Sequence, residues 1–205
     1  MSDNLNHWYD GWFYDFFIAP NQDKAFDKIK TFIEKNASLI DIGCGTGRLC
    51  FQLEDTCNII DGIDASFKNI SIANKKNTKS DNSKVRFFHG DIKSFFIEKN
   101  LKYDYAVLSY VIHEIDESER IDILNLISNY SGKIIIIDYL APHPKSFMGY
   151  INRVVEFLAG KKHYENFKTY IKNDGIKGLS EKADLRISSE IVNNPGTSHI
   201  AVLEK

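Results

Sequence analysis

With 205 residues, 26 Lys and Arg against 28 Asp and Glu, and a formal net charge of −2, the chain has the length of one domain and lacks the basic field of a dedicated nucleic-acid binder. No apolar run approaches the ~18 residues of a membrane-spanning helix, and the start, MSDNLNHWYDG, has neither the basic opening nor the apolar core of a secretion signal. Cys44, Cys50 and Cys57 are odd in number and match neither a disulfide framework nor a common zinc spacing, so a reducing, cytoplasmic setting and no metal are expected.

The first segment is dense in aromatic residues: Trp8, Tyr9, Trp12, Phe13, Tyr14, Phe16 and Phe17 all fall within residues 8–17. Such a segment has to pack on something. Two compatible readings are a helix that caps the core and a lid over residues 1–20 whose rings line an apolar pocket. Pro20 closes the segment, and Phe26, Ile29, Phe32 and Ile33 then recur at helical spacing, which predicts a helix over residues 22–35.

The most informative stretch follows, LIDIGCGTGRL from Leu39 to Leu49. Leu39, Ile40 and Ile42 suit a buried parallel strand, and Gly43, Gly45 and Gly47 arrive at alternate positions, allowing a tight bend that passes close beneath a ligand. Arg48 and Leu49 then open a helix. Dinucleotide-binding bends favour GxGxxG with a pyrophosphate at the helix N-terminus. Here the spacing is GxGxG, and Asp41 stands two residues before the first glycine, where a carboxylate would repel phosphate and suit a cation. The stretch resembles motif I of the class I S-adenosylmethionine-dependent methyltransferases, whose cofactor carries a sulfonium and an ammonium and no phosphate.

Beyond the bend, residues 57–64 read as a second strand ending at Asp64, with Ser66 as N-cap of the next helix through Ile70 and Ala73. An acid at the position of Asp64 accepts hydrogen bonds from ribose hydroxyls in dinucleotide folds and in the methyltransferases alike. The run NKKNTKSDNSK, residues 74–84, reads as a solvated loop. Val85–Ile92 gives a third strand and a turn, and the resemblance assigns Asp91 to the adenine amino group and the Ile92 amide to a ring nitrogen.

The fourth strand, residues 103–110, leads into VIHEIDESER. Methyltransferases of DNA bases and protein amides carry Asn-Pro-Pro-aromatic or Asp-Pro-Pro-aromatic there; this chain has Ser109, Tyr110, Val111 and Ile112, which lowers the case for those acceptors. His113 is the candidate general base, because an imidazole with an ordinary pKa of ~6.5 accepts a proton near neutral pH; the plainer reading is a histidine that fixes its loop. Asp116 or Ser118 is expected to cap a helix carrying Ile121, Leu124 and Ile127. Residues 133–140 form an apolar fifth strand, and Phe147, Tyr150, Ile151, Val154, Val155 and Leu158 make an amphipathic helix ending near Gly160. A second helix and the glycine-containing turn NDGIKGL complete a helical lid insertion over residues 141–180. The ending, strand, Asn-Pro-Gly turn and strand, implies an antiparallel pair.

Taken together these features resemble small-molecule class I methyltransferases similar to the ubiquinone and menaquinone C-methyltransferases. The resemblance implies an α/β fold, a Rossmann-like three-layer sandwich over residues 1–205 with a seven-stranded, mostly parallel sheet and an antiparallel last strand. It implies S-adenosylmethionine as cofactor, S-adenosylhomocysteine as product, and a small, apolar or aromatic methyl acceptor, with no nucleic-acid partner and an oligomeric state left open. Cofactor contacts fall to Asp41, Gly43, Cys44, Gly45, Gly47, Asp64, Ala65, Asp91, Ile92 and Ser109; the substrate pocket falls to Trp8, Tyr9, Trp12, Tyr14, His113, Tyr139, His163 and Tyr164. The alternatives are a non-catalytic S-adenosylmethionine-binding protein and, against the glycine spacing, a nicotinamide-dependent oxidoreductase.

Overall fold

A computed structural model describes residues 19–80 and 84–205. Its centre is a seven-stranded sheet: β1 (Ser38–Ile42), β2 (Ile59–Asp64), β3 (Val85–His89), β4 (Tyr103–Ser109), β5 (Ser131–Tyr139), β6 (Arg186–Val192) and β7 (Ser198–Glu204) lie in the order β3-β2-β1-β4-β5-β7-β6. β1 to β5 pair in parallel, and β7 inserts antiparallel between β5 and β6. The expected sheet, including its reversed last strand, is the one observed.

The strands alternate their apolar residues between two covered faces, which explains why they read as unbroken apolar runs. Leu39, Val107, Ile135 and Ile137 face one core with Phe26 and Ile29 of α1 (Ala19–Ile29), Cys50 of α2 (Arg48–Gln52), and Ile70 and Ala73 of α3 (Phe67–Ser80). Ile40, Leu108, Ile134 and Ile136 face the other, against Phe95 and Phe96 of α4 (Ile92–Lys99), Leu124 and Ile127 of α5 (Arg120–Tyr130), and Ile176 and Leu179 of α8 (Gly175–Lys182). Two further helices, α6 (Phe147–Leu158) and α7 (Lys161–Lys172), connect β5 to α8. One buried polar group spans the sheet: Asp61 accepts two hydrogen bonds from Arg86, at 2.7 and 2.8 Å, and one from the Tyr103 hydroxyl at 2.6 Å.

Four sequence expectations are corrected. The helix expected over residues 22–35 begins at Ala19, gives way to a 3-10 turn at Lys30–Phe32, and is finished by Ile33 in extended geometry. Residues 74–80 are the end of α3: Asn77 continues the inward face of Ile70 and Ala73, and its amide donates to the Val85 carbonyl at 2.8 Å. Glu119, with no side-chain bond to the helix, occupies the N-cap position of α5 expected of Asp116 or Ser118. The glycine-containing turn NDGIKGL is mostly α8, where a Cβ on Gly178 would stand 1.9 Å from the Asn173 carbonyl oxygen. The second glycine therefore serves close packing inside a helix.

The helical segment also divides differently from a uniform lid. α8 and the end of α7 belong to the core, with Tyr170, Ile176 and Leu179 buried. α6 lies outside it and turns most of its apolar stripe to solvent, with Phe147 79 % and Phe157 63 % exposed. Its buried side chain is Glu156, about 200° around the helix from Val154 at 100° per residue.

Candidate active site

The carboxyl ends of β1, β2, β3, β4 and β5 open on one edge of the sheet, where an open α/β sheet presents its ligand site. Gly43, Gly45 and Gly47 take φ of 71°, 54° and 79°, the left-handed region that the alternating glycines allow. The bend is fixed from beneath by the Ile63 carbonyl, which accepts from the amides of Gly43 at 2.8 Å and Cys44 at 3.1 Å. Val111 closes over Gly43 so tightly that a Cβ there would meet Cγ2 at 2.4 Å, whereas a Cβ on Gly45 would meet nothing within 4 Å. Among the described residues, nothing covers the cradle above Gly45, and the loop after β4 walls it.

Asp64 stands beside this cradle. Its Oδ2 accepts from the Gly45 amide at 2.8 Å and its Oδ1 from the Ser66 amide at 2.7 Å, so the carboxylate joins the end of β2 to the bend. Next to it Ala65 is exposed, its carbonyl 3.1 Å from His89 Nε2. Asp91 caps α4, its Oδ1 accepting from Lys93 and Ser94; the Ile92 amide is not among the capped donors. The Ser109 hydroxyl, at the end of β4, is buried and has no hydrogen-bond partner among the described residues. Asp41 lies under the bend and is only 2 % exposed. Cys50 donates to its Oδ2 at 3.3 Å, its Oδ1 has no hydrogen-bond partner among the described residues, and burial pushes its pKa up to about 7 against the opposing Cys50 bond. Cys44 is likewise buried, and burial raises its thiol far out of the titrating range.

A second constellation rises beside Val111. His113, 2 % exposed, has Nδ1 at 2.7 Å from Asp138 Oδ1, and its backbone amide donates to the other oxygen of that carboxylate. Nε2 is buried, has no hydrogen-bond partner among the described residues, and lies 3.6 Å from Glu156 Oε2 on α6. The same Glu156 oxygen accepts from His163 Nε2 of α7 at 2.5 Å, while Oε1 accepts from the Tyr139 hydroxyl at 2.7 Å. Glu114 Oε1 lies 4.0 Å from His163 Nε2. Burial lowers the His113 pKa, but the carboxylates of Asp138 and Glu156 more than offset it and hold the imidazole well above its ordinary value. Burial likewise opposes ionisation of Glu156, yet His113 and His163 bring its pKa well below the carboxylate range. The rings of Tyr139, Phe167 and Tyr170 surround His113, with centroids 5.0 to 6.2 Å away.

Arg120 braces this cluster from inside. Fully buried at the start of α5, it donates to the carbonyls of Ile115 at 2.9 Å, His113 at 3.3 Å and Asn166 at 2.6 Å. The loop after β4 is thereby tied to α7.

Among the expected site residues, the structure gathers Asp41, Gly43, Cys44, Gly45, Gly47 and Asp64 around the bend, and His113, Tyr139 and His163 around Glu156. Tyr164 stands one ring further out, stacked with Phe167 at 6.2 Å. Trp8, Tyr9, Trp12 and Tyr14 lie outside the described residues. The general-base reading of His113 took an ordinary pKa; the carboxylates of Asp138 and Glu156 raise that of the buried imidazole. Asp138, Glu156 and Arg120 were missed. Asp138 had the signal already used for Asp41 and Asp64, an acid near the end of an apolar strand, and Glu156 is the one acid within FMGYINRVVEFL.

The strand order, the reversed β7 and the glycine cradle define the class I methyltransferase architecture. The chain belongs to the methyltransferase domain family, whose model matches residues 33–184. It is similar to an uncharacterized methyltransferase of Staphylococcus carnosus (strain TM300), 25 % identical over 177 residues that cover 82 % of this chain and 78 % of the other. Among solved structures, it resembles magnesium protoporphyrin IX methyltransferase from Synechocystis PCC 6803 with bound S-adenosylhomocysteine, at TM-score 0.68 and 17 % identity over 96 % of this chain and 91 % of that one. The pyocyanin biosynthetic protein PhzM gives TM-score 0.68 and 16 % identity, over 89 % of this chain and 54 % of that one. These two likenesses are of fold.

Proposed function

We propose that the chain binds S-adenosylmethionine over the glycine bend and transfers its methyl group to a small, apolar or aromatic acceptor held beside His113. The observation that carries this reading is the junction at Val111: one loop packs on Gly43 at one end and supplies His113 at the other. A cofactor cradle and a cluster of acid and base groups thus adjoin on one sheet edge. The residues fit the cofactor. The space above Gly45 is open, Asp64 is a half-buried carboxylate beside it that accepts from ribose hydroxyls, and the uncapped Ile92 amide suits a ring nitrogen.

S-adenosylmethionine supplies, when bound, a methyl carbon already activated by the sulfonium. The chain therefore has to align acceptor and donor and exclude water, and alignment of this kind contributes on the order of 7 to 11 kcal/mol. Half-buried Tyr139 and Tyr164, packed on the buried rings of Phe167 and His143, offer the aromatic surface on which an apolar acceptor stacks. α6, with its exposed Phe147, Tyr150, Val154 and Phe157, is placed to form a lid.

Calorimetric titration of the purified chain with S-adenosylmethionine, S-adenosylhomocysteine and NADH tests the reading at its base. Saturable binding of the first two, with none of NADH, is expected. Binding of NADH in their place would return the bend to the dinucleotide class.

A further inference from the structure

We propose that His113, Glu114, Glu156 and His163 form a binding site for one divalent transition-metal ion on the acceptor side of the sheet edge. One nitrogen or oxygen from each of His113, Glu114 and His163 lies within 4.8 Å of the others, and Glu156 Oε2 stands between the two imidazoles. Two imidazole nitrogens with one or two carboxylate oxygens are a donor set for zinc, iron(II), cobalt(II) or manganese(II). Donors about 2.1 Å from a common ion in tetrahedral array stand about 3.4 Å apart. The present separations, 2.5 Å for Glu156 to His163, 3.6 Å for His113 to Glu156 and 4.0 Å for His163 to Glu114, straddle that value. An ion held here would lie between Glu156 and His163 and would draw Glu114 inward.

Two observations independent of the clustering point to a ligand. Among the described residues, His113 Nε2 is a buried polar atom with no hydrogen-bond partner, on a 2 % exposed side chain and 3.6 Å from Glu156 Oε2 in the cluster. Its other nitrogen is held by Asp138, so Nδ1 carries the hydrogen and Nε2 is the atom left to coordinate, the carboxylate-histidine-metal arrangement that orients ligating imidazoles. The Tyr139 hydroxyl does the same for Glu156, occupying Oε1 and leaving Oε2 to the histidines. Arg120 fixes the backbone of His113 and of Asn166, so the loop after β4 and the helix carrying His163 keep their spacing. The side chain of Glu114 is 46 % exposed, which gives the ion an entry and leaves a position open to an oxygen-bearing acceptor. That last role rests on the methyl-transfer reading; the site itself does not. The expectation of no metal came from cysteine spacing, whereas these donors come from three separate segments.

Cobalt(II) is the probe, added to chelator-treated chain and followed by its visible absorption and by calorimetry. One ion per chain is expected, with absorption bands that zinc(II) abolishes by competition. His163→Ala and Glu114→Gln, at positions that are not in the core, should each weaken binding at least tenfold while circular dichroism stays unchanged, and Asp138→Asn should weaken it about ten- to a hundredfold. No saturable binding below about 100 µM, or equal affinity in the His163 and Glu114 variants, overturns the proposal. S-adenosylmethionine titrated into the same samples separates the two readings: cofactor binding without cobalt binding removes only the metal, and cobalt binding without cofactor binding removes only the methyl-transfer reading.

Discussion

Asp64 does two jobs with one carboxylate, joining β2 to the glycine bend through Gly45 and Ser66 while facing the open cradle. Charge-assisted hydrogen bonds are worth roughly 1.5 to 3 kcal/mol, so Asp64→Ala should weaken S-adenosylmethionine binding about ten- to a hundredfold by calorimetry. An unchanged affinity would remove Asp64 from the site. Asp41 makes a prediction about pH. Its pKa is raised from 3.8 to about 7 by burial, so between those values the folded chain holds a proton that the unfolded chain has released. Stability therefore falls as pH rises from about 4 to about 7 and levels above that, by on the order of 4 kcal/mol in total. Urea midpoints of wild type and Asp41→Asn should converge at low pH and diverge at pH 8, with the variant the flatter; parallel curves would contradict the burial argument. The positions of Asp64 and the glycines at the strand ends were legible because motif spacing fixes them locally, though the bonds of Asp64 to the Gly45 and Ser66 amides were not. Those of Asp138 and Glu156 were not, since each acquires its meaning only when β5, α6 and the loop after β4 converge on His113.

Helices were the elements least legible in advance, and the misses share a cause. α3 outran its apolar pattern because Asn77 substitutes a hydrogen bond to the β3 backbone for an apolar contact. α8 was hidden by glycines that permit close packing and by the expectation that such residues break helices. α6 was found, but the side that it buries carries a carboxylate, so its stripe signalled solvent-facing apolar surface and not core. Arg120 is the joint between these elements. Replacing it by Met removes three charged hydrogen bonds to backbone carbonyls, and Arg120→Met should cost on the order of 3 kcal/mol in urea unfolding. A midpoint like that of wild type would mean that the loop and α7 hold together without it. The aromatic start joins the described chain at Ala19. A few residues on, Asp23 is tied to Arg48 at the head of α2, which puts this entry point beside the glycine bend. Deleting residues 1–18 should accordingly depress turnover far more than cofactor affinity; full turnover in the truncated chain would end the lid reading.

At the scale of the whole molecule, the sheet does the organising. Five parallel strands deliver their carboxyl ends to one edge, and the antiparallel β7 brings the turn from β6 to that edge beside β5, where the Leu140 amide donates to the Thr197 carbonyl. That plan was readable from the order of apolar runs, terminal acids and the closing Asn-Pro-Gly turn, because each is set by backbone chemistry within a few residues. The acceptor side was less readable, being assembled from residues 113 to 163 across three elements. Transfer of a labelled methyl group from S-adenosylmethionine to small acceptors grouped by nucleophile (phenols, quinols, thiols and amines) tests the central claim most directly. Labelling of one class of apolar or aromatic acceptor, lost in Asp64→Ala, is the expected result. Saturable cofactor binding with no label passed to any class would contradict it, leaving the chain a non-catalytic binder of S-adenosylmethionine.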